Sequence, residues 1–409
     1  MRPLLPVLLV LGAACSSSPV SPPDTGSSDR PRPDQVVASE ARPAEARIDL
    51  RPDGPRPPAV WQSIPSAPEL QYHAMAPLPG GDLLVVGGTD YTTGAYVALD
   101  KAYRYSVTSN AFGDAGKLAV ARFYHSATAL VDGRVLVAGG ETGPGPRLTS
   151  AELFDPSKPA ASAWSTTAPM LTAATMHAAL RLPSGLVVIT GGRDNNGDSN
   201  STVQLYDPAS NTWKVTADPL KEGRRCHTMT LLKNGKVLIA GGIQGSSWGT
   251  VYLPSLEIYD PTNGTTKLLA STMHMGRCGH TASLLLDGRV LIAGGHCGDK
   301  ACPKTFVDDL YDPAIDQVSP VVHPGDFPSA HVAATLLDGR VLVASGGKTL
   351  DVAVVFDPVQ AAWSSAPPMQ QGRWNAVAGR LPDGSVLVVG GLVSDAPYLR
   401  ANTAERFFP

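Results

Sequence analysis

The stretch RFYHSATALVDGRVLVAGG, residues 122–140, decides the fold because close copies of it recur along the whole chain. Each copy runs from a histidine, or from the residue that replaces it, to a pair of glycines. The other six copies span residues 73–88, 177–192, 227–242, 280–295, 331–347 and 376–391. A period of about fifty residues predicts stacked structural units, none of which buries its apolar face alone. One continuous architecture therefore fills most of the 409 residues.

Each copy divides into short apolar segments separated by turn residues. The segments HSATAL and VLVA flank Asp132-Gly133, and an Asp-Gly pair between apolar runs predicts a two-residue β-hairpin. After the glycine pair and a variable loop comes SAELFDP, residues 150–156, a third strand with a turn opened by Asp-Pro. Trp164 marks a fourth strand. The repeat therefore predicts a four-stranded antiparallel unit.

The two ends of the repeat region complement each other. The chain ends just after a third strand, AERFFP at residues 404–409, and the region begins with a lone Trp61. A strand carrying Trp61 would complete the last unit and close the ring, which removes open sheet edges. We therefore predict an all-β fold, a seven-bladed propeller over residues 60–409 closed by an N-terminal outer strand.

The motif set resembles kelch repeats, which combine an Arg/Gly-x-His-Ser start, a double glycine, Tyr-Asp and a spaced Trp. The resemblance covers residues 61–409. It implies a kelch-type β-propeller, a fold that serves both binding proteins and enzymes.

The N-terminus predicts export. Arg2, an apolar run over residues 4–11 and small residues up to Cys15 are typical of a signal peptide, residues 1–15. Residues 11–15, LGAAC, resemble a bacterial lipobox, so Cys15 is a candidate lipidation site, with plain secretion as the alternative. Residues 16–59 are rich in Pro and Ser and predict a disordered tether. We expect a lipid-anchored protein of the bacterial outer membrane or periplasm.

Charge and hydropathy limit the partners. The formal net charge of -3 provides no basic field for nucleic acid. Beyond the first apolar run, no segment is long enough to predict a transmembrane helix, so we expect membrane contact only through a lipid anchor. We also expect a monomer.

The repeated polar residues permit structural and functional interpretations. The seventh repeat begins with Ala376. The other six begin with a histidine: His73, His125, His177, His227, His280 and His331. The imidazoles could surround a metal ion, but hydrogen bonds to the backbone of a neighbouring blade explain them without one. The hairpin signal predicts that His125 lies opposite Gly140, where a side chain would collide with the ring.

Four repeats have an arginine three residues before that position: Arg122, Arg224, Arg277 and Arg373. The planar guanidinium suits carboxylate recognition, so these arginines are candidate ligand-binding residues. The alternative is ion pairing with acidic residues of adjacent blades.

Tyr124-His125 carries the sharpest hint of catalysis. The dipeptide resembles the copper-ligand segment of galactose oxidase and glyoxal oxidase. Those enzymes also need a Tyr cross-linked to Cys and a further His from a C-terminal domain, which the sequence does not match. Enzymatic activity is therefore the second hypothesis.

Cysteines and loops supply the remaining candidates. Cys297 and Cys302 predict a local disulfide in an oxidising compartment. Cys226 and Cys278 permit a second disulfide, or a zinc site with His227 and His280. The loop at residues 193–199 suits calcium or a simple turn. Trp248 and Tyr252 lie in a long Gly- and Ser-rich loop and are candidate contacts to a ligand.

The sequence therefore predicts a cell-envelope kelch propeller that binds a protein or glycan, or acts as a scaffold, through the face where strand one begins. The alternative is a kelch-class enzyme on sugars, either a copper-radical oxidase or a protein similar to sialic-acid mutarotase. We expect no cofactor, with copper and calcium as the alternatives.

Overall fold

The computed structural model of the chain describes residues 58–90, 96–246, 249–298, 307–323, 330–346, 351–395 and 398–409. These residues form seven four-stranded antiparallel sheets, together with the 3-10 turns Pro79–Gly81 and Ala160–Ser162. The predicted all-β, seven-bladed propeller is confirmed.

Each blade has the strand order one, two, three, four. Blade 1 contains Ala74–Pro77, Leu83–Val86, Lys101–Ser106 and Ala111–Lys117. Blade 2 contains Ser126–Ala129, Val135–Ala138, Ala151–Phe154 and Trp164–Thr166. Blade 3 contains Ala178–Arg181, Val187–Thr190, Val203–Asp207 and Thr212–Val215. Blade 4 contains Thr228–Leu231, Val237–Ala240, Ser255–Asp260 and Thr265–Thr272.

The remaining three blades repeat the pattern. Blade 5 contains Thr281–Leu284, Val290–Ala293, Val307–Asp312 and Gln317–Val322. Blade 6 contains Val332–Thr335, Val341–Ala344, Ala353–Asp357 and Ala362–Ser365. Blade 7 contains Val377–Arg380, Val386–Val389 and Ala404–Phe408, with Val60–Ile64 as its outer strand. Short two-stranded ribbons extend the loops between strands two and three in blades 1, 4 and 7: Thr89–Asp90 with Val97–Ala98, Ile243–Ser246 with Gly249–Tyr252, and Leu392–Asp395 with Tyr398–Arg400.

The ring closes as the sequence predicts. Trp61 pairs with Phe407 across the outer two strands of blade 7, and their rings lie 5.0 Å apart. Strand one of each blade contacts strand one of the next, and that of blade 7 contacts that of blade 1. Strand one is therefore innermost and surrounds the axis.

The core lies between the blades. Strand two is buried along its whole length, as in Val135–Ala138, because its two faces lie against different blades. Side chains from neighbouring blades form shared clusters, such as Leu84 and Val86 of blade 1 with Val137 of blade 2. This explains why VLVA segments read as continuous apolar runs.

The hairpin between strands one and two differs from the prediction by one residue. Ser126 pairs with Ala138, and the amide of Leu130 donates to the carbonyl of Arg134 across a three-residue turn. Gly133 adopts a φ of 88°, which permits this turn type. The predicted two-residue turn is therefore wrong, and with it the His125–Gly140 register. A Cβ built on Gly140 would nevertheless lie 2.9 Å from Cβ of His125, so the packing reason for glycine holds.

The glycine pair of blade 6 also begins one residue earlier than expected. The amide of Gly346 donates to Arg373 O at 2.8 Å, the role that Gly140 plays toward Ala174 O at 2.9 Å. Gly346 is therefore the second residue of the pair, and Ser345 replaces the first glycine. Ser345 retains the left-handed backbone of that position, with a φ of 70°.

The propeller has two distinct faces. Strand one begins at the end that we call the mouth face, and the turns between strands one and two lie at the opposite end, the turn face. Val60, the first residue of the outer strand of blade 7, pairs with Phe408, next to the Phe407–Val386 pair. Val386 follows the blade 7 hairpin turn, so the chain enters the propeller at the turn face. Within the described ranges, the structure contains no helix with the length and apolarity needed to span a bilayer.

Candidate functional site: the mouth of the propeller

One residue from each blade surrounds the axis at the mouth face, two residues before the start of strand one. We call this set the mouth ring: Tyr72, Tyr124, Met176, Cys226, Gly279, Ala330 and Asn375. The amide of one member donates to the carbonyl of the member in the preceding blade, as in Met176 to Tyr124 at 3.1 Å and Cys226 to Met176 at 2.9 Å. The backbone of this ring is part of blade assembly.

All seven members of the mouth ring adopt a left-handed backbone, with φ between 54° and 68°. Glycine occupies this region without steric cost, and Gly279 shows that the ring accepts it. The other six members carry side chains at a strained position. The ring therefore fixes the backbone but leaves the side chain free to vary.

The strand-one histidines are interblade packing groups. A Cβ built on Gly139 of blade 2 would lie 2.8 Å from Cε1 of His177 in blade 3, and one on Gly87 would lie 2.5 Å from His125. Each ring thus lies against the first glycine of the preceding blade's pair. Gly390 and His73 make the same contact between blades 7 and 1.

Four of these imidazoles bond to a hydroxyl of the preceding blade. Nε2 of His177 lies 2.9 Å from Ser126 Oγ, and Nε2 of His280 lies 3.0 Å from Thr228 Oγ1. His227 and His331 pair in the same way with Thr190 and Thr281. The hydroxyls add to the expected backbone partners, since His280 also bonds to the backbone of Ala240 in the preceding blade. Burial lowers the pKa of His177 to about 4 and that of His73 to about 3, so both rings are neutral at physiological pH.

The four candidate arginines lie inside their blades. Arg122, Arg224, Arg277 and Arg373 are fully buried. Arg224 Nη1 donates to Gly241 O at 2.8 Å, and its Nη2 lies 2.6 Å from Glu257 Oε1. The corresponding acids in the other blades are Glu152, Asp309 and Glu405. This placement favours the ion-pair interpretation over direct ligand contact, with the correction that each acid belongs to the same blade.

The acid of each pair was not singled out from the sequence, although the sequence contains its signal. Glu257 accepts hydrogen bonds from the amides of Lys221 and Glu222, where the chain crosses from one blade to the next. In blade 3, which has Ala174 in place of arginine, Gln204 occupies the acid position and accepts from Leu171 and Thr172. Blade 1 has Leu70 with Tyr103 at these two positions. Arginine and acid are thus present or absent together.

Tyr124 and His125 are adjacent in sequence but lie in different environments. The Tyr124 ring packs on Tyr72 at 4.4 Å and on Phe123 at 5.2 Å, whereas the His125 ring is buried against Gly87. With Tyr96 and Trp374, the tyrosines and Phe123 form one cluster at the mouth, the aromatic patch. The two side chains are therefore not directed into a common site.

Polar side chains also occur at the mouth face, with Glu141 paired to Phe123 and Arg225 paired to Ile243 through the backbone. Glu141 forms an ion pair with Arg147 at 3.2 Å, and burial raises the pKa of the Glu141 carboxyl. Arg225 donates to Ser199 Oγ at 2.6 Å and to Gly245 O at 2.9 Å, both of them neutral oxygens.

A second cluster at the mouth is rich in sulfur. Cys226 and Cys278 are not joined by a disulfide, and both are buried against Ile243, Met176 and Tyr252. The rings of His227 and His280 point to Thr190 and Thr228 instead, so the hypothetical zinc ligands are not brought together. Across the described ranges, no group of three or more His, Cys, Asp or Glu side chains is arranged to hold a metal ion.

The loop candidates separate into two groups. Tyr252 lies on the blade 4 ribbon, with its ring edge-on to His296 at 5.5 Å. In the 193–199 loop, Asp194 Oδ1 accepts from the amides of Asn196 and Asp198 at 2.9 Å each, which is turn geometry. Trp248 and Cys302 lie outside the described residues, so the Cys297–Cys302 disulfide stays a prediction.

The closed ring of seven blades and the repeated His-glycine contacts define the class as a propeller built from kelch-type repeats. Comparison with protein families agrees. The KLHDC2/KLHL20/DRC7 Kelch-repeats domain matches residues 177–391, and the Kelch motif matches residues 122–171. The chain belongs to the kelch-repeat family.

Curated relatives share part of this region. Kelch-like protein 25 of Xenopus tropicalis is 28% identical over 62% of this chain and 40% of its own length. Kelch-like protein 23 of Mus musculus is 27% identical over 54% of this chain and 38% of its own length. Alpha-scruin of Limulus polyphemus is 25% identical over 49% of this chain and 22% of its own. The chain therefore spans less than half the length of these relatives.

Among solved structures, a fungal alcohol oxidase of the AA5 family, in complex with copper, superposes with a TM-score of 0.68. The alignment covers 86% of this chain and 76% of the oxidase at 18% sequence identity. At this identity, the similarity establishes a shared fold.

Proposed function

We propose that the protein is a binding module of the bacterial cell envelope that recognises a protein segment at the mouth face. The observation that carries the proposal is the mouth ring, where six of seven members keep a side chain at a left-handed backbone position. Each such residue costs on the order of 1 kcal/mol, and glycine would remove that cost. Tyr124 and Met176 are only partly buried, so contact with a ligand explains why these two side chains are present.

The chemistry of the ring suits a polypeptide. The aromatic patch offers flat apolar surfaces with polar edges, the composition enriched at protein interfaces. Tyr96, Tyr124 and Trp374 are only partly buried, so part of this surface is accessible from the mouth face.

The buried arginines and histidines do not determine which ligand is bound. Their hydrogen-bonding groups are directed into the blades, so recognition falls to the mouth ring, the aromatic patch and the ribbons that carry Tyr252 and Val97. We propose that the chain acts through these surfaces as a monomer, without a catalytic step.

The entry point of the chain supports the proposed location. We propose that residues 1–15 direct export, that Cys15 is lipidated and that residues 16–59 tether the propeller. Because the chain enters the propeller at the turn face, such a tether would attach opposite the mouth face and leave the mouth unobstructed. Replacing Cys15 by Ala should release the protein from membranes and abolish incorporation of a labelled fatty acid. Unchanged fractionation would contradict the anchor.

Site-specific photo-crosslinking tests the binding proposal. The photoreactive residue benzoylphenylalanine is introduced at Val97 or Val251 on the mouth-face ribbons, and at Val131 on the turn face as a matched control. All three valines are exposed. We expect light-dependent adducts with one defined polypeptide from positions 97 and 251 but not from 131, competed by excess unlabelled protein.

Other outcomes distinguish the alternatives. Adducts from position 131 alone would place the binding surface on the wrong face and overturn the proposal. A glycan array that shows saturable binding, together with no polypeptide adduct, would replace the protein ligand by a sugar. Oxidase turnover on sugars that is lost in Tyr124→Phe would establish the enzyme alternative.

A further inference from the structure

In each blade, the residue that follows the buried leucine at the end of strand one is exposed and lies beside the axis at the turn face. Six of these seven positions are apolar, and Val131, Leu337 and Leu286 are 70%, 59% and 49% exposed. Apolar side chains grouped in this way on a surface mark a contact with a partner or with lipid. We call the set the turn ring: Pro79, Val131, Pro183, Lys233, Leu286, Leu337 and Pro382.

The members of the turn ring lie across the interfaces between blades. A Cβ built on Gly133 of blade 2 would lie 2.8 Å from Cγ of Pro79 in blade 1. One built on Gly384 of blade 7 would lie 2.5 Å from Cδ1 of Leu337 in blade 6. Six of the seven interfaces show this arrangement, and the exception lies between blades 3 and 4. The exposed apolar side chains therefore form a nearly continuous ring.

Contact with these glycines does not require an apolar side chain. In blade 4, the aliphatic stem of Lys233 lies on Gly288, with Cδ 3.3 Å from a Cβ added there, and the side chain ends in an ammonium group. A long polar residue can thus cover the neighbouring turn while its charge stays in water. Packing of the blades therefore does not explain why the exposed ends at the other six positions are apolar.

The acidic residues next to the turn ring are paired with arginines. Asp383, which follows Pro382, forms an ion pair with Arg406. Three further aspartates follow ring members directly, and each pairs with the arginine two residues later, at 2.7, 2.6 and 2.8 Å: Asp132 with Arg134, Asp287 with Arg289, and Asp338 with Arg340. These acids therefore carry no uncompensated charge that the phosphates of lipid headgroups would repel.

The point of attachment of the chain favours a lipid surface over a protein partner. The chain enters the outer strand of blade 7 at the turn face, at Val60. A flexible chain of the length of residues 16–59 spans roughly 35–40 Å, which holds a second contact at an effective concentration on the order of millimolar. A few apolar side chains then suffice for docking. The seven positions of the turn ring also contain no Tyr, Trp, Phe or Met, the residues enriched at protein interfaces.

We propose that the turn ring docks on the surface of the phospholipid bilayer to which the chain is anchored, with Val131, Leu286 and Leu337 inserted at the level of the headgroups. This inference rests on the envelope location proposed above. It adds an orientation that a flexible tether alone does not impose, because the turn face lies on the membrane and the mouth face points away from it.

Site-specific fluorescence on vesicles provides the test. The full chain with Cys15→Ala and an N-terminal histidine tag is held on phosphatidylcholine vesicles by a nickel-chelating lipid, so docking is measured whether or not Cys15 is lipidated. An environment-sensitive fluorescent amino acid replaces Val131 on the turn face or Val97 on the mouth face. A nitroxide-labelled lipid is the quencher, and the same vesicles without nitroxide are the reference. We expect strong quenching at position 131 and little at position 97.

A matched variant removes the apolar ends but keeps the aliphatic stems. Leu286→Lys combined with Leu337→Lys copies Lys233, which the fold accepts at this position, and vesicles without net charge give lysine no electrostatic advantage. The docked population, followed at position 131, should fall about tenfold or more, because burial of one leucine side chain is worth at least this factor in an equilibrium constant. A denaturant titration that matches the parent would exclude unfolding as the cause.

Equal quenching at positions 131 and 97 would show that the tag alone holds the chain on the vesicle and would overturn the proposal. So would protection of position 131 that depends on protein concentration rather than on lipid, since it would assign the turn ring to a second copy of the chain. Unchanged fractionation of Cys15→Ala in cells would contradict the anchor alone, so the failures of the two proposals are distinguishable.

Discussion

Six interfaces between blades contain an imidazole against a glycine, and the seventh, between blades 6 and 7, contains neither. There Ser345 replaces the glycine and Ala376 replaces the histidine. At the other six, a Cβ on the glycine would meet the ring, as Gly294 would meet His331 at 2.5 Å. At the seventh interface, the two replaced residues are thus the two whose side chains would collide if only one of them were replaced. The comparison teaches that glycine and histidine form one packing unit, split between neighbouring blades.

In the mouth ring, by contrast, the side chain varies from blade to blade while the backbone conformation is the same. Its members differ in size and chemistry, from Gly279 to Tyr124, while the backbone geometry stays constant. A repeated position with a fixed side chain is explained by construction of the ring. At the variable position, the partly exposed members Tyr124 and Met176 are available for recognition.

The largest effect is expected from the buried arginines. Arg224→Ala leaves Glu257 buried without its cation and should lower the free energy of unfolding by about 3–5 kcal/mol, measured by denaturant titration. Adding Glu257→Gln copies the Ala174 and Gln204 pair of blade 3 and should restore part of the loss. An Arg224→Ala protein with unchanged stability would contradict the structural role.

The next largest loss of stability is expected when serine replaces the glycine at an interface that has both glycine and histidine. Gly139→Ser places a Cβ 2.6 Å from Ala174 O and 2.8 Å from Cε1 of His177, and should cost about 3 kcal/mol of unfolding free energy. Gly235→Ser is the control, because Gly235 has a similar positive φ but no neighbour within 4 Å of its added Cβ. Its cost should be the backbone strain alone, about 1 kcal/mol. Equal losses for both variants would show that the ring contact is unimportant.

Acid should weaken the histidine interfaces. Burial keeps the pKa of His177 at about 4, below its unfolded value near 6.5, so the unfolded chain binds more protons between these values. The stabilisation is complete above about pH 6.5 and is lost as the pH falls toward 4, by roughly 1.4 kcal/mol per unit for each histidine of this kind. Denaturant titrations at pH 7 and 5 should show this loss, with a smaller slope in His177→Asn. Identical slopes in parent and variant would contradict it.

The sequence predicts the fold well because every repeat contains the same strand and turn signals in the same order. The closing strand with Trp61 followed from counting strands, and it is confirmed. The repeat could not reveal the three-residue turn, since Asp-Gly serves both turn lengths, nor the shift at Ser345, since two consecutive glycines follow it.

The candidate site was harder to predict because residues that stabilise the blades and residues that bind ligands are of the same types. Arg122 and His125 resembled ligand groups, and only burial showed them inside the blades. Comparison of copies would have identified the acid at position 257, which appears where arginine appears. The left-handed mouth ring has no sequence signature, since Tyr, Met and Cys, which hold three of its positions, rarely adopt that backbone.

A double-mutant cycle at the exceptional interface tests the central claim most directly. The four proteins are the parent, Ser345→Gly, Ala376→His and the double variant, compared by denaturant titration at pH 7. Ala376→His alone should lose about 3 kcal/mol because its ring meets the Ser345 side chain. The double variant should lie within about 1 kcal/mol of the parent, because it recreates the other six interfaces. Additive effects, with the double variant no more stable than Ala376→His, would contradict the claim that glycine and histidine act as one unit.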